Sequence, residues 1–288
     1  MGQFTSINGL KVHYQIAGSG PCLLTFAPGG FGSVMSKWTA ECGNYAWKQM
    51  DGLVALSKHF TTIAYDRREA GLSGGRIEPL NWDLYCDEAV GMLKLLGASQ
   101  AYVLGSCMGA SVALAFAARH PKSCTGLLLH WPVGGYQWIM RAHGFFQRHF
   151  DFVAGNGLAG VVARAKGKGK NFWTDPESGP WAGPLSWDAE FQDQFARQDV
   201  SCYLEICRQS RDTLFNDTMP SGASGAELMK MDVPAIIMSG ADSRHTRSAS
   251  WTLKELMPKA ELWDVFPPDQ NGENTLAELV RIKTLAPC

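Results

Sequence analysis

Apolar and polar positions change their period along this chain in a repeating order. Short apolar runs of the strand kind stand at Cys22–Phe26, Thr61–Tyr65, Ala101–Leu104, Gly126–His130, Pro234–Ser239 and Glu261–Phe266. Between them lie segments with apolar residues at helical spacing: around Trp47–Lys58, over Asp83–Leu96 with Gly97 as its stop, after Cys107, over Ser248–Leu256 and over Thr275–Thr284. Gln3–Ser6 and Lys11–Ala17 flank Asn8-Gly9 and predict a hairpin. This alternation predicts an α/β fold with a mostly parallel, twisted sheet and helices on both faces. Right-handed crossovers bring the loops that follow the strands to one edge of such a sheet, where ligands bind.

The rhythm fails from Trp131 to about Leu228. Trp131, Tyr136, Trp138, Phe145, Phe146, Phe150, Phe172, Trp173, Trp181, Trp187, Phe191, Phe195 and Tyr203 crowd this interval, among helix-like pieces and Gly/Pro breaks. It reads as a helical lid over residues 131–228, inserted into a core made of residues 1–130 and 229–288. Most of the aromatics are expected in the lid's own core, and a minority over a pocket beneath it.

Composition removes several functions. A net charge of −1 over 288 residues leaves no footprint for nucleic acid. The one basic run, Arg164 to Lys170, reads as a solvated, mobile loop. No segment is apolar for long enough to span a bilayer, and the first residues lack a signal-peptide core. Eight cysteines without CxxC or metal spacing read as free, mostly buried thiols in a reducing compartment, by default the cytoplasm. No metal and no cofactor are expected.

One cysteine stands apart. Gly105-Ser106-Cys107-Met108-Gly109 joins an apolar run to an alanine-rich helical segment. It has the form of the G-x-S-x-G nucleophile elbow, with cysteine in the serine position. Side chains two residues either side of so tight a turn would collide, which is why glycine stands at both places. A following helix aims its N-terminal amides at the turn and favours a thiolate there. Ser106 and Ser111 are off the central position.

With these residues the chain resembles the α/β-hydrolase-fold superfamily over nearly its whole length, with a cap inserted after the sixth strand. Phe26-Ala-Pro-Gly-Gly-Phe-Gly-Ser33 stands in the place of that family's oxyanion loop, with Pro28 where histidine is usual. Asp66-Arg-Arg-Glu-Ala-Gly-Leu-Ser73 matches its D-x-R-G-x-G-x-S turn, with Glu69 in place of glycine. Val233 to Asp242 is similar to the strand and loop that deliver the acid. The resemblance implies Cys107 as nucleophile, as in dienelactone hydrolases. It implies the backbone N–H of Met108 and one from Gly30 or Phe31 as oxyanion donors. In architecture the chain is similar to capped meta-cleavage-type C–C hydrolases.

The departure from the family lies near the end. Leu262 to Glu273, where the family's histidine follows the last strand, contains none; Asp269, Gln270 or Asn271 stands in its place. The base is therefore sought at His130, which ends the sixth strand, or at His245, in the acid loop. His13, His59 and His120 read as structural, and His143 and His149 belong to the lid. Asp242 either orients a histidine or caps the next helix. Glu69 is either an additional carboxylate acid near the site or a surface residue paired with Arg67 or Arg68. Trp131 joins the candidates for substrate contact.

The expected function is hydrolysis by thiolate attack on an activated carbonyl: an ester, lactone, thioester or C–C bond of a partly apolar or aromatic small molecule. An acyl-transfer, cyclising or lyase step on the same fold is the alternative that the missing terminal histidine favours. A non-catalytic ligand-binding protein that has lost the triad is another. The expected partner is a small-molecule substrate, not nucleic acid or membrane, and a homodimer is left open.

Overall fold

In the computed structural model, residues 2–40, 46–167, 170–216 and 221–286 are described. Eight strands carry the fold: β1 (Gln3–Ile7), β2 (Leu10–Ala17), β3 (Cys22–Phe26), β4 (Thr61–Tyr65), β5 (Ala101–Ser106), β6 (Cys124–His130), β7 (Ala235–Met238) and β8 (Ala260–Trp263). They pair in the order β1-β2-β4-β3-β5-β6-β7-β8. The β1–β2 hairpin and the β2–β4 pair are antiparallel, and every other pair is parallel. The helices are α1 (Ala46–Gln49), α2 (Gly52–Ser57), α3 (Trp82–Leu95), α4 (Met108–Arg119), α5 (Tyr136–Ala165), α6 (Ala182–Leu185), α7 (Ala189–Ala196), α8 (Val200–Leu214), α9 (Gly225–Lys230), α10 (Arg247–Leu256) and α11 (Gly272–Leu285).

The middle strands are apolar on both sides because both of their faces are covered. Leu127 and Leu129 belong to one apolar cluster while Leu128, between them, belongs to another. Ile237 and Ile236 divide in the same way. Two expectations from the sequence need adjusting. The stretch 47–58 forms two short helices, because the Asp51 side chain accepts from the Val54 amide and starts α2 afresh. The last strand stops at Trp263 instead of Phe266, since its partner β7 offers only four residues to pair with.

Between β6 and β7 the chain leaves the sheet for α5 to α9. Asp188 and Asp199 cap α7 and α8, and α5 is broken at Gly157, where φ is 63°. The helices close on an aromatic cluster of Phe146, Phe172, Trp173 and Phe215. Phe31, from the loop after β3, packs into that same cluster. Two hydrogen bonds fasten the helices to the loop after β4: Trp187 Nε1 donates to the Gly71 carbonyl at 2.8 Å, and the Leu80 amide donates to Ser210 Oγ at 2.8 Å. Of the basic run, Arg164 pairs with Asp175 and Glu177 and Lys170 with Asp175, while residues 168 and 169 lie outside the described residues. Arg164 and Lys170 are thus tied down by carboxylates, not loose in solvent. Cys42 and Cys288 also lie outside the described residues.

Asp66, at the end of β4, holds the loops on this edge together. Its carboxylate accepts from the Met35 amide at 2.9 Å and the Leu72 amide at 2.9 Å, and it meets His13 Nδ1 at 2.8 Å. It is 4% exposed, and without it the buried Met35 amide would lose its partner away from water. Asp66→Ala is expected to lower unfolding free energy by about 3 kcal/mol in urea titration. An unchanged midpoint would remove Asp66 from this role.

Candidate functional site

The bend between β5 and α4 is held open for one side chain. A Cβ on Gly105 would overlap the Gly109 carbonyl, and a Cβ on Gly109 would overlap the Phe26 carbonyl. Cys107 itself sits at φ 57°, ψ −127°, a conformation that costs a non-glycine residue on the order of 1–3 kcal/mol. Its amide donates to the His130 carbonyl at 3.0 Å, which ties the bend to the end of β6. The two glycines permit the turn, and the turn sets the thiol at the N-terminus of α4.

Across from it lies the Pro-Gly-Gly loop. The backbone N–H groups of Gly29 and Met108 both point at the Cys107 sulfur and favour its charged form. The Gly29 amide thus acts on the sulfur, a different atom from the substrate oxygen for which Gly30 or Phe31 was expected. Gly30 lines the cavity over Cys107, whereas the Phe31 ring is buried in the aromatic cluster. Arg67 fixes this loop by donating to the Gly30 carbonyl, and it is held in turn by Glu69, whose Oε1 accepts from Arg67 Nε at 2.8 Å. Glu69 is 0% exposed, so the expectation of a surface residue is corrected: its pairing with Arg67 is internal. A buried carboxylate is kept only because a buried guanidinium answers it. The glycine of the family's turn has been replaced by half of that ion pair.

The third wall is the loop after β7. Asp242 accepts from the Arg244 amide at 2.8 Å and the His245 amide at 2.9 Å, and its two oxygens lie 3.0 and 2.9 Å from His245 Nδ1. The helix that follows is capped by Thr246, so of the two roles open to Asp242 it is orienting a histidine that the geometry displays. The loop is clamped to the chain after β6, because Gly134 bridges to His245 and its amide donates to the Arg244 carbonyl at 3.1 Å.

Electrostatics separates this thiol from the others. Burial pushes Cys86, Cys124 and Cys207 up to about 12. Burial also acts to raise Cys107, but the facing His245 charge and the Gly29 and Met108 amides bring it down to about 7. For His245, burial favours the neutral ring, and the Cys107 thiolate together with Asp242 overrides this and lifts it to about 9. His245 Nε2 makes no hydrogen bond of regular geometry. Its coupling to the sulfur is mainly one of charge, which an approaching substrate would tighten.

His130 reaches the same cavity in a different state. Its Nδ1 lies 2.9 Å from Ser106 Oγ, and burial, then the charge of His245, pushes it down to about 3. Its ring stacks on Trp131 at 5.5 Å, and Trp131 tilts against His245 at 5.7 Å. Of the three residues in the place of the missing histidine, Gln270 is the one turned inward. It is 2% exposed, accepts from Trp131 Nε1 at 2.6 Å and donates to the Ser239 and Val265 carbonyls at 2.8 and 2.7 Å. The place is a packing joint. Among the other histidines, His143 Nε2 meets the Phe215 carbonyl at 3.1 Å and His149 Nε2 meets the Tyr203 hydroxyl at 2.6 Å.

A cavity of about 240 Å³ opens over the sulfur, lined by Cys107, His130, His245 and three tryptophans, Trp131, Trp138 and Trp173. Trp138 and Trp173 stack at 4.9 Å. Cys107, His130, His245, Gly30 and Trp131 are thus brought to one space, with Asp242 behind His245 and Met108 contributing its amide. Among the described residues no group of histidine, cysteine and carboxylate side chains has the arrangement of a metal site. No helix among them is long and apolar enough to cross a membrane.

Alkylation by iodoacetamide reads this difference directly. Because its proton is lost at about 7 instead of 9, Cys107 is expected to be labelled first, at a rate rising through pH 7, while Cys86, Cys124 and Cys207 resist in the folded protein. In His245→Gln the burial effect is left unopposed by the imidazole, so the profile should move to higher pH. Peptide mapping that finds Cys107 labelled no faster than the other buried cysteines would contradict this.

Residues 23–157 match the family described as "alpha/beta hydrolase fold". An uncharacterized hydrolase of Bacillus subtilis, YraK, is 29% identical over 129 residues, which are 44% of this chain and 43% of that protein. The matched stretch spans less than half the length of the curated relatives it matches. A single-site variant of the meta-cleavage product hydrolase CumD of Pseudomonas fluorescens superposes with a TM-score of 0.65 at 17% identity, covering 98% of each chain. The enol-lactonase of Burkholderia xenovorans superposes with a TM-score of 0.60 at 20% identity, over 98% of this chain and 100% of the other. The sheet order, the elbow between β5 and α4 and these likenesses agree: the protein is an α/β-hydrolase-fold protein.

Proposed function

We propose that the protein is a hydrolase in which Cys107 is the nucleophile, His245 the general base and acid, and Asp242 the residue that orients it. The observation that carries the reading is the contrast among buried thiols: three are raised by burial, and the one at the elbow is lowered by a carboxylate-held imidazole. A base that is itself held by a third group is the arrangement that activates a nucleophile.

The chemistry then follows in two halves. The Cys107 thiolate forms a bond to the substrate's carbonyl carbon, and the carbonyl π pair moves to oxygen, which accepts from the Gly29 and Met108 amides. Collapse of this adduct expels the leaving group, which takes a proton from His245 Nε2. Water, giving a proton back to His245, adds to the thioester carbon, and the C–S bond breaks to release the acid and regenerate the thiolate. Asp242 holds the proton-bearing Nδ1 throughout, so Nε2 is free for the exchange.

His130 serves less well as the base. It has no carboxylate partner, its Nδ1 is engaged by Ser106, and it is neutral at ordinary pH. The Asp242–His245 pair also weakens the ground for acyl transfer over hydrolysis, because that ground was the want of a base. The helices between β6 and β7 act as a cap that covers the cavity, with Trp138 and Trp173 as its apolar wall. These features suit an activated ester, lactone, thioester or a C–C bond beside a carbonyl, on a small molecule with an apolar or aromatic part. The names of the enol-lactonase and the meta-cleavage product hydrolase fall within that range.

Hydrolysis of an activated aryl ester, followed with mass spectrometry of the intact protein, tests the assignment. An acyl group on Cys107 and loss of turnover in Cys107→Ala are expected. His245→Gln is expected to lower kcat/KM by about 10²–10⁴, the usual range for a general base. His130→Gln is expected to lower it less than about tenfold. An acyl-Cys107 that persists for hours would favour transfer. Turnover surviving in Cys107→Ala would overturn the mechanism, and the want of both adduct and turnover in the wild type would leave a binding protein.

A further inference from the structure

Three cationic side chains line the cavity over Cys107, and among the described residues no carboxylate does. They come from separate parts of the fold: Arg141 from α5, Arg244 from the loop after β7, and Lys37 from the turn after β3. The Lys37 ammonium lies against the oxyanion loop, since a Cβ on Gly29 would overlap Nζ. Arg141 lies over the Phe145 ring, 5.1 Å from its centroid, a contact that leaves its N–H fork available to an anion. Arg244 approaches Asp242 Oδ2 only to 3.7 Å, and that carboxylate is already engaged by the imidazole and two amides. Beyond the Cys107–His245 pair, whose charges oppose each other, the rest of the wall is uncharged, with Asn171 and Thr174 beside the stacked Trp138 and Trp173.

Like charges at one cavity repel each other, and an anion entering between Arg141 and Arg244 would relieve that repulsion. A positive cleft with low-dielectric walls also concentrates anions at its mouth. Guanidinium groups bind carboxylates through paired N–H donors, and the stacked indoles offer an apolar face to what lies beside the carboxylate. The volume, about 240 Å³, falls below the usual range for drug-sized ligands and limits the guest to one small ring or a short chain.

We propose that the substrate is a small carboxylate-bearing carbonyl compound, its carboxylate held by Arg141 and Arg244 and its apolar part against Trp138 and Trp173. This rests on the assignment of Cys107 only for the end of the molecule that reacts. The carboxylate end is recognised by residues that take no part in the covalent steps.

Benzoate and its neutral isostere benzamide separate the two claims, because their binding is read without any reaction at Cys107. Each is titrated into the wild-type protein while tryptophan fluorescence is followed, at low and at raised salt. Benzoate is expected to bind at least about tenfold more tightly than benzamide, with a preference that shrinks as salt rises. Arg141→Gln is expected to erase most of that preference, and Arg244→Gln to reduce it, with thermal unfolding establishing that each variant is folded. Equal affinity for the two compounds, binding of neither, or an undiminished preference in Arg141→Gln would overturn the proposal. The same titration in Cys107→Ser keeps the tests apart: a benzoate preference there, beside an unreactive wild-type Cys107, would sink the catalytic reading and leave the anion site standing.

Discussion

The charge coupling between the Cys107 sulfur and the His245 imidazole is what the rest of the site depends on. A thiol buried at this depth is ordinarily pushed toward its neutral form, as Cys124 and Cys207 are. To bring Cys107 from 9.0 to about 7, its surroundings must favour the thiolate by about 3 kcal/mol net, after repaying the cost of burial. No single neighbour does this alone. The imidazole contributes its charge, the Gly29 and Met108 amides contribute directed donors, and the strained bend between Gly105 and Gly109 keeps the sulfur where these meet.

His245 is charged in turn for reasons that lie one step further out. Asp242 takes its Nδ1, and the Gly134 bridge fixes its backbone, so carboxylate and imidazole arrive on a single four-residue loop segment. In the family resembled, the histidine comes instead from after the last strand. There, this protein places Gln270, which carries three hydrogen bonds and secures Trp131 between the two histidine rings. The space has become structural, and the imidazole that faces the sulfur stands beside its carboxylate instead. Such a rearrangement leaves the sheet and the elbow unaltered, because neither depends on which loop supplies the imidazole.

Much of the fold was legible because its signals are local. Strand runs, helix stops and the Gly-x-Cys-x-Gly turn are written within a few residues, and the elbow follows from steric exclusion alone. Which histidine a carboxylate holds beside the sulfur was not legible to the same degree. His130 and His245 both end or follow a central strand, and nothing in the one-dimensional pattern says that Ser106 engages the first. Glu69 was left open between the site and the surface for a related reason. A charged residue in a turn usually faces water, and only the three-dimensional meeting with the Arg67 guanidinium and the Tyr85 hydroxyl makes an interior position tolerable. The Asp-x-x-His spacing of Asp242 and His245 was the available signal, because three residues are enough for a tight turn to bring the carboxylate to the ring.

Titration of the histidine rings by NMR, in the wild-type protein and in Cys107→Ala, tests the coupling from its other side. The account predicts one histidine, assignable to His245 by its loss in His245→Gln, that stays protonated up to about pH 9 in the wild type and titrates at clearly lower pH once the sulfur is removed. A His245 that titrates at the same pH in both proteins would mean that the thiol and the imidazole do not share a charge pair.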